Sequence, residues 1–384
     1  MSGLLLTHRH AGLGNTMTKL KMPFPICTQT ELGWNNHFSQ QLSLEDWESY
    51  IPARIIEQHK SKLVVATDQG PLTIDSPTSS EGFTSNKMTV GDWVMLNQQH
   101  QFIRLLDRVS LFSRKAAGSK VEEQLIAANV DTLFIVSSLN QDFNLNRIER
   151  YLVLAHEAQV EPVVILTKAD LCEQEQVEDR VHEVQSLDPM LMVIPLNALE
   201  PKYLSSLSPW CKPGKTLAVL GSSGVGKSTL ANLLLGNDEQ ATGGIREDDS
   251  KGRHTTTSRS LHLIPSGEIL KGGLLLDTPG MRELQLTNSE SGIEETFSDV
   301  MALAEQCKFS DCTHDSSLSE KAGCAVQNAI RSGQLDERRL LSYQKLLRED
   351  ELNSATLAEK REKDRQFGRM IRTVQKEASR LKSR

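Results

Sequence analysis

Residues 221–229, GSSGVGKST, carry the strongest structural signal in the sequence. It fits the pattern G-x-x-x-x-G-K-[ST], a glycine-rich turn whose backbone N–H groups can surround phosphate oxygens. The apolar run KTLAVL (215–220) precedes it and the helix-forming run LANLLL (230–235) follows it, so a phosphate would meet the positive end of a helix. A glycine-rich turn can also simply join a strand to a helix, but Lys227 and Ser228 favour a nucleoside triphosphate site.

Length, charge and cysteine content limit the classes of protein to which this chain can belong. A chain of 384 residues predicts about two or three domains. The net charge of −7 does not exclude nucleic acid, because a sum hides local basic patches. The sequence has no apolar run long enough for a membrane span, and its start lacks the charge order of a secretory signal. Six scattered cysteines do not suggest a disulfide framework, so we expect a reducing, cytoplasmic setting.

Short alternating apolar runs dominate the segment after the polar first 49 residues. Five such runs, separated by turn formers, lie between residues 51 and 111. They predict a small β-barrel of the OB or SH3 type, a class that often binds nucleic acid. A barrel that only packs against its neighbouring domain remains an alternative. The next residues, SRKAAGSK (113–120), predict a basic, flexible connector.

An alternation of strands and helices follows the connector. Residues 130–137 and 161–167 are apolar runs typical of buried parallel strands, and residues 146–157 carry a helical stripe. This order predicts an α/β layer structure. The second strand ends in Thr167-Lys-Ala-Asp170, similar to the guanine-specificity motif of regulatory GTPases. A carboxylate at Asp170 can accept both the ring N–H and the exocyclic amine of guanine, although such a tetrad also arises by chance.

The order of the motifs is unusual, because the guanine motif precedes the phosphate loop. Downstream of that loop, GRHTTT (252–257) matches a switch-I threonine segment, and DTPG (277–280) matches the Asp-x-x-Gly of switch II. Together with the predicted barrel and the cysteine cluster described below, these motifs resemble the circularly permuted GTPases. More specifically, the chain is similar to the ribosome small-subunit-dependent GTPase family over about residues 50–330.

The resemblance implies a domain order and a function. It implies an N-terminal extension (1–49), an OB-fold RNA-binding barrel (50–112), an α/β, circularly permuted P-loop GTPase domain (113–290) and a helical zinc-binding domain with a basic tail (291–384). It implies a monomeric GTPase that binds the small (30S) ribosomal subunit and its 16S rRNA in late maturation. A nucleotide-dependent signalling or transport switch that does not act on RNA is the alternative.

The resemblance also implies roles for single residues. Lys227 and the loop amides would hold the phosphates. Ser228 and one threonine of 255–257, for which we take Thr256, would bind Mg²⁺, with Asp277 acting through water. The position after switch II is Met281, whose thioether cannot orient water as a glutamine can. His254 is therefore the candidate catalytic residue beside Lys227, with an ordinary exposed loop histidine as the alternative. The expected GTP-binding residues are Thr167, Lys168, Asp170, Asn197, Ala198, Gly221, Ser222, Ser223, Gly224, Val225, Gly226, Lys227, Ser228, Thr229, Asp277 and Gly280.

A cluster of soft ligands lies near residue 310. Cys307, Cys312 and His314 follow the spacing Cys-x₄-Cys-x-His, and Cys324 supplies a fourth ligand. A Cys₃His set suits tetrahedral zinc with no open position, so the metal would be structural. Nine residues separate His314 from Cys324, a longer loop than the family usually has. Buried unliganded thiols beside a surface histidine are the alternative.

The last thirty residues are basic. Residues 355–384 contain ten Lys or Arg against four Asp or Glu, within a chain of negative total charge. Phe367, Met370, Ile371 and Val374 predict an amphipathic helix. Such a helix can contact RNA or can simply lie solvated on the protein.

Overall fold

The computed structural model describes residues 24–59, 61–77, 87–115, 123–140, 142–236, 259–277, 281, 284–314 and 323–354. Its strands are β1 Ile51–Gln58, β2 Lys62–Thr67, β3 Gly70–Asp75, β4 Trp93–Leu96, β5 Phe102–Leu105, β6 Leu111–Lys115, β7 Glu123–Ala128, β8 Thr132–Ser138, β9 Glu161–Thr167, β10 Met192–Pro195, β11 Thr216–Gly221, β12 Ser260–Leu263 and β13 Leu274–Asp277. Its helices are α1 Asn36–Ser39, α2 Leu44–Ser49, α3 Leu145–Glu157, α4 Gln174–Gln185, α5 Leu204–Leu207, α6 Lys227–Leu235, α7 Glu290–Thr296, α8 Ser298–Ala304, α9 Ala325–Arg331 and α10 Glu337–Ser354.

The five strands predicted near the N-terminus are confirmed. They pair antiparallel in the order β3-β2-β1-β4-β5, with β1 in the centre. Strand β1 is buried along most of its length rather than on alternate residues. The segment before β1 also packs on the sheet, since the rings of Trp34 and Phe38 contact Trp93 of β4. This segment therefore belongs to the same buried cluster as β1.

A hairpin occupies part of the segment predicted to be a flexible connector. Residues 113–115 belong to β6, which pairs antiparallel with β7, so the prediction is wrong for these three residues. Polar cross-strand pairs hold the hairpin: Ser113 donates to Glu123 at 2.6 Å, and Arg114 donates to Gln124 at 3.0 Å. Because these pairs are polar and half-exposed, the strand lacks the apolar alternation by which sequence analysis recognises strands.

The predicted α/β layer structure is confirmed. Five parallel strands lie in the order β10-β9-β8-β11-β13, and β12 adds antiparallel to β13. Alternate residues of β8 enter two separate cores, with Leu133 and Ile135 packing on the side of α3 and Phe134 and Val136 on the side of α6. Helices on both faces explain the continuous apolar run of this strand. Strand β12 also pairs with β1 at Ser260 and Glu57, so one sheet runs from the N-terminal strands into the α/β layer.

A buried arginine joins the N-terminal strands to the segment that precedes them and to the turn between β7 and β8. The guanidinium of Arg54 in β1 donates to the carbonyl oxygens of Leu32 at 2.6 Å, Gly91 at 3.1 Å and Asn129 at 2.9 Å. Burial lowers the pKa of Arg54 to about 10, so the side chain stays cationic at neutral pH. Three carbonyl dipoles therefore compensate the buried charge, and they come from three different segments.

The C-terminal part is helical, as predicted. Helices α7 and α8 are followed, after the cysteine-rich segment, by α9 and α10, and α7 and α10 pack against α3. Gly292 in α7 allows this approach, because a Cβ there would lie 2.3 Å from the carbonyl oxygen of Val153. No helix among the described residues combines the length and the apolarity that crossing a bilayer requires. The predicted basic amphipathic helix at 355–384 lies outside the described residues.

Candidate nucleotide and metal sites

The phosphate loop joins β11 to α6, as the sequence predicts. Gly226 precedes α6 with a φ of 94°, a backbone conformation that favours glycine, and no side chain of the described residues caps this end of the helix. A Cβ on Gly221 would lie 2.3 Å from the carbonyl oxygen of Val136, so the loop also needs glycine at its start. The N-terminal N–H groups of α6 therefore face the interior of the loop, where an anion is stabilised.

Two side chains of the loop fit a nucleotide with Mg²⁺. The ammonium group of Lys227 is largely buried and donates to the carbonyl oxygen of Ser222. Within the part of the chain that the structure describes, the buried Ser228 Oγ has no hydrogen-bond partner. A buried hydroxyl without a partner costs about 1–3 kcal/mol, which a coordinated cation would offset. The donor set therefore fits the expected positions of a phosphate and of Mg²⁺.

The guanine motif contacts the phosphate loop directly. Thr167 is buried at the end of β9 and donates to the carbonyl oxygen of Val225 at 2.6 Å. Lys168 has a φ of 61° and donates from Nζ to the carbonyl oxygen of Gly224 at 2.8 Å. The hydroxyl of Thr167 thus connects the two motifs. The exposed Asp170 follows in a short 3₁₀ turn, Ala169–Leu171.

The loop after β10 lies beside this turn. The amide of Ala169 donates to the carbonyl oxygen of Leu196 at 3.3 Å, which brings Asn197 and Ala198 next to the guanine motif. The side chain of Asn197 shapes its own turn: Oδ1 accepts from the amide of Leu199 and Nδ2 donates to Glu200, both at 3.0 Å. A contact from this loop to a base would therefore come from its backbone.

The switch residues are described only in part. Asp277 ends β13, next to β11 in the sheet, so its carboxylate lies on the same strand-end edge as the phosphate loop. Met281 is buried in the core, which agrees with its predicted inability to orient water. His254, Thr256 and Gly280 lie outside the described residues, as do the other two candidate threonines.

An ionic contact between the first turn of α3 and the phosphate loop was not predicted from the sequence. Arg147, in the first turn of α3, donates from one nitrogen to Asp142 Oδ1 and to Ser222 Oγ, each at 2.9 Å. Ser222 Oγ in turn donates to Asp142 Oδ2 at 2.8 Å. The only local signal is the Asn144 cap that begins the helix and so places Arg147 in its first turn. The third partner is 75 residues away in the chain, which no local pattern can reveal.

The four predicted metal ligands come together. The ligating atoms of Cys307, Cys312, His314 and Cys324 all lie within 4.8 Å of one another. Cys307 Sγ and Cys324 Sγ are 3.8 Å apart, about the separation of two sulfurs on one tetrahedral zinc. Burial lowers the pKa of His314, favouring the neutral imidazole that binds metals, and raises the pKa of Cys324 to about 11. The longer loop before Cys324 thus does not remove it from the cluster.

The motif order and the parallel sheet with its phosphate loop define a circularly permuted P-loop GTPase. Residues 105–287 match the model of the RsgA GTPase family. The chain is 57% identical to the small ribosomal subunit biogenesis GTPase RsgA 2 of Vibrio parahaemolyticus over 344 residues, which is 90% of this chain and 92% of the relative. It is 43% identical to the small ribosomal subunit biogenesis GTPase RsgA of Mesorhizobium japonicum over 328 residues, covering 84% and 90%. The chain belongs to the RsgA GTPase family and is a GTPase, as the sequence motifs predicted.

Two solved structures share the fold. YjeQ from Thermotoga maritima aligns with a TM-score of 0.55 at 23% identity, over 78% of this chain and 99% of that one. YloQ, a circularly permuted GTPase, aligns with a TM-score of 0.54 at 22% identity, over 80% and 97%. The permuted α/β fold expected from the sequence is thereby confirmed.

Proposed function

We propose that this GTPase acts in the biogenesis of the small ribosomal subunit, binding that subunit and its 16S rRNA as a monomer in the cytoplasm. The observation that carries the nucleotide site is the pair of bonds from Thr167 and Lys168 to the phosphate loop. These bonds hold a base-binding carboxylate and a phosphate-binding lysine in one rigid unit. The ribosomal role rests on the relatives' names and on the N-terminal strands and basic tail, which suit RNA. We propose the domain boundaries given from the sequence.

The described residues supply most of the hydrolytic site. Lys227 and the loop amides bind the phosphates, and Asp170 binds the base. Ser228 would hold Mg²⁺ together with Thr256, which lies outside the described residues, and Asp277 would act on the cation through water. The cation, when bound, neutralises charge that develops on the phosphates. Asn197 and Ala198 complete the base-binding loop. Since Met281 is packed in the core, the residue that orients water comes from elsewhere, and we assign this role to His254.

Stimulation by the small subunit is the first test. Purified small subunits are expected to raise kcat for GTP, and the effect should fade as salt increases, because each neutralised phosphate releases counterions. GTP turnover is measured with and without subunits at two salt concentrations. Unchanged turnover at low salt would favour a signalling or transport switch that does not act on RNA.

In the same assay, His254→Ala should lower the kcat measured with small subunits while the affinity for GTP stays unchanged. A variant that the subunits stimulate as fully as the unmodified protein would reject the catalytic role of His254.

We further propose that the Cys₃His cluster holds a structural zinc. Four protein ligands leave no position for substrate, and metal binding supplies folding energy to the surrounding chain. Removing the metal, by a chelator or by Cys312→Ser, should raise hydrogen exchange across α9 while GDP affinity changes less than about twofold. Zinc content and hydrogen exchange are measured together. Cys27→Ser removes a thiol outside the cluster and should leave the zinc content unchanged. Loss of GDP binding with the metal would contradict a purely structural role.

A further inference from the structure

Helix α3 begins at the phosphate loop. Both oxygens of Asp142, just before the helix, are engaged, one by Arg147 and one by Ser222. Hydrogen bonds from these two side chains lower the pKa of Asp142, so it is ionised at neutral pH. The carbonyl of the same Ser222 accepts from Lys227. A continuous chain of hydrogen bonds thus runs from the phosphate-binding lysine to the first turn of α3.

The next residues of α3 hold the C-terminal helix. Glu149 is 0% exposed and accepts from Arg338 at 3.0 Å and from Arg339 at 2.9 Å, both in α10. Arg150 pairs with Glu349 of α10 and donates to the carbonyl oxygen of Leu284 at 3.2 Å. Leu284 follows the switch-II segment in the chain. One turn of helix therefore separates the contacts to the phosphate loop from those to α10.

We propose that Arg147 is a positioning residue of the nucleotide site, and that α3 connects the phosphate loop to α10 through it. Arg147 does not touch the nucleotide. Together with Asp142 it orients the side chain of Ser222, and the position of Ser222 sets the start of the phosphate loop. The inference rests on the proposed nucleotide site. It goes beyond that site by adding a residue outside every GTPase motif and a physical route to the C-terminal region.

The contacts of Arg147 and Asp142 hold Ser222, and with it the start of the phosphate loop, in place before a nucleotide binds. A loop held in its binding conformation loses less conformational freedom when phosphate binds, which favours binding. The Arg147–Asp142 pair is partly exposed, so as an isolated ion pair it would contribute little. The pair acts on the loop instead through the hydroxyl of Ser222, which bonds to both charged groups. Because coupling is reciprocal, ordering of the loop by a nucleotide should also order α3 and α10.

The first experiment is a double-mutant cycle on nucleotide affinity. The dissociation constant of a fluorescent GDP is measured for the full chain and for Arg147→Ala, Ser222→Ala and the double variant. Arg147→Ala should raise the constant about tenfold, which is about 1.4 kcal/mol. The double variant should be no worse than Arg147→Ala, because both changes break the same link. The KM for GTP should rise in parallel while kcat changes less than about twofold, because a less firmly held loop weakens binding of the ground state and of the transition state alike.

A matched control comes from the N-terminal strands. Arg104 makes a comparable, partly exposed pair with Asp46 at 3.3 Å, far along the chain from the nucleotide motifs. Arg104→Ala should leave the affinity for GDP unchanged. An Arg147→Ala protein with unchanged affinity, or additive effects in the cycle, would overturn the positioning role. If the unmodified protein itself fails to bind GDP, the proposed function fails instead, so the two failures are distinguishable.

The second experiment tests the route to α10. Hydrogen exchange of residues 338–350 is compared with and without saturating GDP. GDP should slow exchange there in the unmodified protein, and Arg147→Ala should lose at least about half of that change, even at GDP concentrations that saturate the variant. An equal change in both proteins, or none in either, would show that α3 does not connect the two regions.

Discussion

Asp170→Ala is expected to weaken GDP binding by about a hundredfold and to remove the preference for guanine over adenine. Asp170 is exposed at the end of the guanine motif, where its carboxylate can accept two hydrogen bonds from guanine. A hydrogen bond to a charged group contributes about 1.5–3 kcal/mol, and about 1.4 kcal/mol corresponds to a factor of ten, so the loss of two bonds gives at least this change. Competition of GTP and ATP against a fluorescent GDP measures both quantities.

The control for this change lies on the neighbouring helix. Asp179 in α4 is an exposed carboxylate of the same charge, and Asp179→Ala should leave both affinity and selectivity unchanged. Thr167 and Lys168 keep their bonds to the phosphate loop in either variant, so the fold of the site is preserved. A variant at Asp170 that still prefers GTP over ATP would show that the base is recognised elsewhere.

Glu149→Ala is expected to have the largest effect on stability. Its carboxylate is fully buried between α3 and α10, and it accepts from Arg338 and Arg339. Removing one partner of a buried ion pair costs about 3–5 kcal/mol, because a buried charge loses its compensation. Arg339, whose side chain is 5% exposed, would keep Asp299 as its one carboxylate partner within the described part of the chain. Urea unfolding followed by circular dichroism should therefore show earlier loss of the C-terminal helices.

A surface pair provides the comparison for this loss. Glu183 pairs with Arg180 at 2.8 Å, one turn apart on α4, and the two side chains are 41% and 45% exposed. Glu183→Ala should change the free energy of unfolding by less than about 1 kcal/mol, since water replaces the lost contact. Should Glu149→Ala prove no more destabilising than Glu183→Ala, the ion cluster would not be what holds α10 on α3.

Local patterns predicted the elements that carry their own signal. The five N-terminal strands, the buried strands β8 and β9, and helix α3 were predicted from their periodicity. The hairpin of β6 and β7 was missed because polar cross-strand pairs stabilise it. Strand β12 was missed because four residues of alternating character are too short to distinguish from a loop. Glu149 was overlooked because an acidic residue on a helix is normally exposed, and only its two arginine partners make burial possible.

The sequence alone indicated the class of enzyme, the order of its motifs and the four residues of the Cys₃His cluster. These are properties of contiguous residues, whose backbone turns and side-chain chemistry are set locally. Only the tertiary structure decided how the motifs meet: the hydroxyl of Thr167 on the phosphate loop, Arg147 on Ser222, and Glu149 between two arginines. Each of these contacts joins residues dozens of positions apart. Such pairings depend on the packing of whole strands and helices against one another, which no local pattern of residues encodes.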